Sequence, residues 1–297
     1  MPGKLAYLIL NPVSGVSQPE NVRERFESVL HAAGWDTQVY QTTGDESLAE
    51  VVCQAVAAGA TLVAAAGGDG TISEVGSGLA YTGIPLGVIP TGTWNALSHN
   101  LGIPLVLDDA LQLLITSQRR IRMDTLEVRG RHFLLNVGIG LSASVIQNTA
   151  REQKRRFGFL AYVWNTLVQL TGLQLRQVRL SLDGHEFRLA TAELMVVNSS
   201  IIGLGELPTA LDIHPDDGKV EIIALRAPSI WSLAGIAINF MIGRHKHDPG
   251  FLSFSATRSI SIRTRRKAVV QADGEIIGET PIEINVRPAA VDVIIPE

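Results

Sequence analysis

Short apolar runs alternate with amphipathic stretches up to about residue 115. Residues 5–10 read as a buried strand, ended by Asn11-Pro12. Residues 21–33 then set Val22, Phe26, Val29 and Leu30 on one helical face, and Gly34 stops the helix. The pattern predicts a strand at 37–40, a helix at 47–58 closed by Gly59, and a strand at 61–66. A helix at 71–79, a buried strand at 86–89 and a helix at 93–100 follow. Apolar strands alternating with helices predict a parallel sheet covered on both faces. Ligands of such sheets bind at the carboxyl ends of the strands. Glycine-bearing turns at 67–71 and 90–93 fall at two such ends.

Near residue 120 the pattern changes. Strands are predicted at 121–128 and 132–137 with a turn at Gly130, then at 175–182, 187–197, 219–225, 259–264, 268–272, 282–286 and 291–295. Asp183-Gly184, Asp217-Gly218 and Asp273-Gly274 supply turns. This reads as a mostly antiparallel β domain interrupted by helices at 158–170 and 229–242. The fold class is α/β plus all-β, with an α/β domain at 1–120 and a β domain from 121 onward. No linker marks the join, which implies an extensive shared interface.

The segment Gly67-Gly68-Asp69-Gly70-Thr71-Ile72-Ser73-Glu74 follows a buried strand and opens a helix. Missing side chains let the backbone approach a phosphate closely, and free helix-start amides favour an anion. Asp69 can hold Mg²⁺ against the same phosphates, since Mg²⁺ prefers carboxylate and phosphate oxygens. Thr71 can cap the helix or donate to phosphate. A plain strand-to-helix turn would carry similar residues. Pro90-Thr91-Gly92-Thr93-Trp94-Asn95 repeats the arrangement, with Thr93 and Asn95 placed to cap a helix. Asn11-Pro12-Val13-Ser14-Gly15 follows the first strand and by itself fits a phosphate or ribose contact and a plain loop equally. Asp273-Gly274-Glu275 reads by itself as a hairpin turn with a solvated acid. His214-Pro215-Asp216-Asp217-Gly218-Lys219 fits a cation site or a polar loop.

Taken in order, Gly-Gly-Asp-Gly-Thr, then Pro90-x-Gly92-Thr93-x-Asn95, Leu101-Gly102-Ile103-Pro104, Asp217-Gly218, and Asp273-Gly274-Glu275 with Pro281 downstream resemble the diacylglycerol kinase catalytic family. The match is to its bacterial soluble lipid kinases, relatives of the sphingosine and ceramide kinases. The resemblance implies an N-terminal NAD-kinase-like α/β domain and a C-terminal β-sandwich, with ATP between them and 288–297 returning to the first domain. It implies nucleotide contacts from Asn11, Pro12, Ser14 and Gly15, and from a threonine after the second strand. Thr42 and Thr43 both qualify, and Thr43 is carried forward. Gly67, Gly68, Asp69, Gly70, Thr71, Glu74, Gly92, Thr93 and Asn95 complete the implied nucleotide site. Glu275 would be the general base, with Asp69 holding the Mg²⁺ of ATP. A structural Mg²⁺ would lie near Asp217, flanked by backbone carbonyls of His214 and Lys219. Asn95-Ala96-Leu97 stands where bacterial diacylglycerol kinases commonly carry Asn-Asp-Phe, a form closer to the sphingosine kinases.

Composition narrows the setting. With 46% hydrophobic and 18% charged residues, the chain can bury a large core and carries no long charged tail. A net charge of −4 supplies no global basic field, so nucleic acid is not an expected partner and membrane contact must be local. Two local basic patches stand out: Arg151, Lys154, Arg155 and Arg156 with Phe157 and Phe159, and Arg244-His245-Lys246-His247. The first reads as a core helix with a solvated basic start or as a membrane-touching segment, and the second as a solvated loop first and a membrane-surface patch second. The single cysteine, Cys53, lies in an apolar run and is expected to be buried. It allows no disulfide within the chain, which fits a reducing compartment. The N-terminus lacks the signal-peptide pattern, and no run of about 20 apolar residues exists. The expected setting is cytoplasmic, with peripheral contact at the inner membrane face and a homodimer left open.

These features predict an ATP- and Mg²⁺-dependent kinase acting on a primary hydroxyl of a lipid such as diacylglycerol. A soluble-metabolite kinase of the NAD-kinase type shares Gly-Gly-Asp-Gly-Thr, and a sphingoid-base or ceramide kinase shares the Asn-Ala-Leu form. The absence of Gly-x-x-x-x-Gly-Lys-Ser/Thr excludes a P-loop kinase.

Overall fold

A computed structural model describes residues 4–15, 18–44, 46–148, 175–202, 205–206, 213–244 and 247–297. The helix expected at 158–170, the basic segment 151–159, and residues 245 and 246 lie outside the described residues.

The first domain runs β1 (Leu5–Leu10), α1 (Pro19–Ala32), β2 (Asp36–Gln41), α2 (Leu48–Ala57), β3 (Leu62–Gly67), α3 (Asp69–Leu79), β4 (Leu86–Pro90), α4 (Ala96–Leu101) and α5 (Leu107–Thr116). Its strands pair in parallel in the order β2-β1-β3-β4. β3 and β4 are buried along their whole length, as continuous apolar strands covered on both faces should be. Helix α5 was not predicted. It buries Ala110, Leu111 and Leu114, and Asp108 pairs with Arg25 of α1 at 2.6 Å. The helix predicted from residue 71 starts at Asp69, and the one predicted from 93 starts at Ala96.

The rest of the chain is largely β: β5 (Arg120–Val128), β6 (Arg131–Phe133), β7 (Asn136–Gly140), α6 (Leu141–Asn148), β8 (Arg176–Leu182), β9 (His185–Thr191), β10 (Glu193–Val197), β11 (Ile201–Ile202), β12 (Gly205–Glu206), β13 (Val220–Leu225), α7 (Ile230–Met241), β14 (Phe251–Ala256), β15 (Ser259–Thr264), β16 (Val269–Ala272), β17 (Glu275–Glu279) and β18 (Ile282–Ile294). One antiparallel sheet has the order β14-β13-β10-β7-β16-β17. Its Val137, Ile139, Leu194, Val196 and Ile222 share a core with Leu126, Val178, Leu180, Ile260, Ile262 and Ile284 of β5, β8, β15 and β18. Opposed apolar faces of two sheets make a β-sandwich.

Four predicted strands are cut differently. The run 132–137 divides into β6 and β7, which belong to different sheets. The run 187–197 divides at Ala192 into β9 and β10, again in different sheets. Conversely, 282–286 and 291–295 fall mostly within one strand, β18, whose pairing with β5 shifts register between Arg287 and Val291. β18 runs antiparallel to β15 at one end and meets β4 in parallel at the other, Val293 opposite Leu86. A single sheet therefore passes through both domains.

Cys53 corrects an expectation: it is exposed. The helical period of α2 turns Leu48, Val51, Val52 and Ala55 into the core and Cys53 outward. The native protein should therefore react with one equivalent of a disulfide reagent such as DTNB without denaturant. Reaction only after unfolding would contradict the orientation.

At the start of α6, the buried carboxylate of Glu193 accepts hydrogen bonds from the Ser142 amide (3.0 Å) and the Ser142 hydroxyl. Burial pushes its carboxyl up to about 7, against the pull of Ser142, the Leu141 amide and the charge of Arg176. The folded value lies above that of an unfolded glutamate. The stabilisation it carries is therefore complete below about pH 4.5 and lost as pH rises through about 7. Thermal melts should show wild type losing stability between about pH 5 and about pH 8, and Glu193→Gln flattening that fall.

Candidate active site

The loops after β1, β3 and β4 converge. The Asn11 amide donates to Ala66 O at 2.9 Å and the Thr91 amide to Gly67 O at 3.1 Å. Asn11 Nδ2 donates to Thr71 Oγ1 at 2.9 Å, and the hydroxyls of Ser14 and Thr91 lie 2.8 Å apart. The backbones touch where glycine permits it. A Cβ on Gly15, whose φ is +75°, would lie 1.4 Å from Thr91 O. A Cβ on Gly92 would lie 2.5 Å from the Gly68 Cα. Any side chain at either position would drive the loops apart.

Within this cradle several of the predicted side chains are engaged by neighbouring parts of the protein. Asp69 Oδ1 accepts from the Leu97 amide at 3.1 Å and so caps α4. Glu74 Oε1 accepts from the Leu48 amide at 3.0 Å and caps α2. Asn95 was expected to cap α4. Instead it takes a left-handed backbone (φ 48°) and folds back, accepting from the Gly92 amide at 2.9 Å and donating to Gly92 O at 3.0 Å. Thr93 stands exposed before α4 and lies outside the helix it was expected to start. Thr43 is exposed and turned onto Glu46, its amide donating at 2.8 Å, whereas Thr42 is buried. By contrast, Gly68 at the N-cap of α3 supplies no side-chain cap. The first amides of α3 thus retain the character of an anion site.

The opposite wall comes from the β domain. Asp273 was expected to sit in a solvated turn; it is buried. Its Oδ2 accepts from the Leu134 amide at 2.8 Å and from the Ser73 hydroxyl. Its Oδ1 accepts from the amides of Leu135 (3.1 Å) and Asn136 (2.8 Å). Burial pushes this carboxyl up, while Ser73 and the three amides pull it back. Two residues on, Glu275 is partly exposed and faces the glycine turn: a Cβ built on Gly70 would lie 3.8 Å from Glu275 Oε1. Gly70, Ser73, Glu74, Arg131, Asp273 and Glu275 line one cleft between the domains. Asp69 itself is turned to α4, so the residue of the glycine turn that meets Glu275 is Gly70. Arg131 went unrecognised in the sequence. Its guanidinium lies 3.3 Å from Glu275 Oε2 and over the Phe133 ring, 5.1 Å from its centroid. No motif marks Arg131; its position after the Gly130 turn was the only available signal.

The turn at 214–219 is organised by another residue that sequence reasoning missed. Asp124, buried on β5, accepts from the amides of Gly218 (2.6 Å) and Ala289 (2.8 Å), and its own amide donates to Pro215 O. Burial raises its carboxyl, those amides lower it, and nearby Asp217 and Asp216 raise it. Asp217 Oδ2 lies 3.4 Å from the Lys219 ammonium, and its Oδ1 accepts from the Lys219 amide at 3.1 Å. Among the described residues no three His, Cys, Asp or Glu side chains gather to hold a metal ion. The Lys219 ammonium is shared between Asp217 and Glu221, which lies 3.7 Å away.

Comparison with known proteins converges on one family. Residues 5–128 match the model for the diacylglycerol kinase catalytic domain. Residues 136–295 match the YegS C-terminal NAD kinase beta sandwich-like domain. A Pseudomonas fluorescens protein named "Probable lipid kinase YegS-like" is 32% identical over 100% of this chain and 97% of its own length. A Bacillus subtilis diacylglycerol kinase is 28% identical over 99% of this chain and 97% of its own. A crystal structure of a diacylglycerol kinase from Bacillus anthracis superposes with a TM-score of 0.79 at 26% identity, covering 100% of this chain and 98% of that one.

The buried carboxylate gives this site its first test. Asp273→Ala leaves the amides of Leu134 to Asn136 and the Ser73 hydroxyl without their acceptor. It should cost about 3 kcal/mol or more in urea unfolding, whereas Ser73→Ala should cost about 1 kcal/mol. Equal, small effects would remove Asp273 from its anchoring role.

Proposed function

The chain belongs to the diacylglycerol kinase catalytic family of ATP-dependent lipid kinases, and we propose that it phosphorylates the primary hydroxyl of diacylglycerol in the cleft between Gly70 and Glu275. The observation that carries this reading is the position of Glu275, a carboxylate from the β domain facing the glycine turn of the α/β domain.

Asn11, Pro12, Ser14, Gly15, Gly67, Gly68, Gly70, Thr71, Gly92, Thr93 and Asn95 are the nucleotide-facing set. The first amides of α3 receive the phosphates, because anions bind where helix amides lack a partner. The Asn11–Thr71 and Ser14–Thr91 side-chain contacts tie the loops together, and Asn95 braces its own loop through the Gly92 backbone, before ATP arrives. Asp69 is the carboxylate of the glycine turn, and the Mg²⁺ that accompanies ATP would sit against it, neutralising phosphate charge. Thr43 is the least supported contact, since its hydroxyl and amide are committed to Glu46. The α/β unit spans about residues 1–120, and the β-sandwich about 121–287.

Glu275 accepts the proton of the lipid hydroxyl, within hydrogen-bond reach. The oxygen then attacks the γ-phosphorus in line as the bond to the β-phosphate oxygen breaks, giving lipid phosphate and ADP. Arg131 lies beside Glu275 and holds its carboxylate in a fixed orientation. Because that pair is half-exposed, its value is positional more than energetic.

Radiolabelled ATP with diacylglycerol, monoacylglycerol, ceramide and sphingosine in mixed micelles, with NAD alongside, tests the reading. Diacylglycerol should be labelled, and Glu275→Gln should lower kcat by about 100-fold or more without loss of fold by circular dichroism. Labelling of NAD alone would establish a soluble-metabolite kinase. Labelling of sphingosine or ceramide alone would move the substrate to the sphingoid class.

A further inference from the structure

Helix α7, Ile-Trp-Ser-Leu-Ala-Gly-Ile-Ala-Ile-Asn-Phe-Met, contains no charged residue. One side packs on the outer face of the six-stranded sheet: Ile236 is buried, and Leu233 and Phe240 are partly buried against Val197, Ile223 and Phe251. That face accounts for its folding. Among the described residues nothing covers the other side. Ile230, Trp231, Ile238 and Ile242 are exposed at 39%, 83%, 58% and 57%. Ala234 and Ala237 are exposed between them. The spacing sets these residues on one helical stripe. A capping box between Ser229 and Ser232 fixes the start of the helix.

Charge around the stripe is one-sided. From residue 227 to 247 the sequence holds no aspartate or glutamate. Exposed arginines bracket the helix, Arg226 before it and Arg244 after it. Asp248, the first acid beyond, accepts from Asn239 Nδ2 at 2.7 Å and from the Gly250 amide at 2.8 Å, so it is held by the protein. The Arg226 amide donates to Gly250 O at 2.7 Å, which ties the two ends of the segment together. An apolar stripe carrying a tryptophan and flanked by arginines has the make-up of a helix that lies in the plane of a bilayer interface. Two copies meeting antiparallel through this stripe would bring Arg226 against Arg244 of the other copy, like charge on like. Anionic headgroups meet the same residues with opposite charge.

We propose that α7 is the surface by which this kinase docks on an anionic bilayer, its apolar stripe entering the headgroup boundary and Arg226 and Arg244 contacting lipid phosphates. This rests on the lipid-kinase reading of the cleft, because an acceptor dissolved in a bilayer must be reached from its surface. The helix packs on β10, β13 and β14, and the same sheet carries the β16–β17 turn with Asp273 and Glu275. Docking α7 therefore fixes the height of Glu275 above the membrane.

The test uses the full chain with vesicles of phosphatidylcholine, with and without phosphatidylglycerol. Trp231→Ser with Ile238→Ser should reduce cosedimentation with the anionic vesicles by about 10-fold or more. It should reduce turnover of long-chain diacylglycerol embedded in them to match, and leave turnover of a short-chain, monomerically dissolved diacylglycerol unchanged. Arg226→Glu with Arg244→Glu should weaken binding to anionic vesicles but not to neutral ones. All four side chains are exposed, so the fold should survive, as unchanged short-chain turnover would show. Undiminished vesicle binding by both double variants would overturn the proposal. So would a shift from dimer to monomer by size-exclusion chromatography in the first variant, which would assign the stripe to a second copy. Wild type that binds vesicles through α7 but phosphorylates neither diacylglycerol would instead refute the kinase reading alone.

Discussion

Asp273 is the residue on which the site depends. Its carboxylate gathers the Ser73 hydroxyl and the amides of Leu134, Leu135 and Asn136. Ser73 belongs to α3, and Leu134 to Asn136 are where the chain leaves the sheet shared by both domains and enters the six-stranded one. One buried group thus joins the turn at the β16–β17 corner, the strand crossover and the helix that opens at the glycine turn. A carboxylate removed from water is costly unless its oxygens are filled. Here both are filled, and by groups from separate parts of the chain. Gly70 lies three residues before Ser73, on the same face of α3, and Glu275 lies two residues after Asp273. Anchoring Ser73 to Asp273 therefore sets Gly70 opposite Glu275. The two acids of Asp273-Gly274-Glu275 divide the work: the first locates the turn, the second is left accessible in the cleft.

The α/β side is prepared in a complementary way. Its turns are so close that Gly15 meets the Thr91 carbonyl and Gly68 meets Gly92. Polar side chains that a sequence reader would aim at phosphate are instead spent on neighbours, Asp69 on α4, Glu74 on α2, and Asn95 on both polar atoms of the Gly92 backbone. Such contacts order the loops in advance, so binding a polyphosphate need not supply that ordering. At the glycine turn itself, the start of α3 is left without a side-chain cap.

The period-3.6 and apolar-run signals of β1 to β4 and α1 to α3 were legible because buried parallel strands and one-sided helices write their environment directly into local sequence. The boundaries inside 132–137 and 187–197 were not, because both are places where a continuous β pattern changes sheet. Leu134 and Ala192 are as apolar and buried as the strand residues beside them, and only tertiary pairing separates β6 from β7 or β9 from β10. Cys53 was misplaced for a related reason: a run of apolar neighbours said nothing about which of them the helix turns outward. Asp273 was misread because Asp-Gly at a turn is ordinarily a solvated signal; the partners that bury it come from about 140 and 200 residues away in sequence. The ordered glycine and acid motifs, by contrast, located both walls of the cleft, since their spacing survives where individual contacts cannot be read.

The two walls are also joined away from the cleft, and in the same manner. Asp124, like Asp273, is a buried carboxylate on a β element that accepts backbone amides from two distant segments, the turn at Gly218 and the register shift of β18 at Ala289. Ala289 takes a left-handed backbone there (φ 48°), an uncommon state for a residue with a side chain. Beyond that point β18 continues to its parallel contact with β4, while its earlier half pairs antiparallel with β15 in the sandwich. A strand hydrogen-bonded into both domains, with a buried carboxylate fixing its bend, resists relative rotation of the domains at that edge. Asp273 resists it at the other. Closure around substrate by swinging one domain on a hinge would have to break both. The placement of Glu275 against Gly70 is therefore supported by buried carboxylates at both edges of the domain junction.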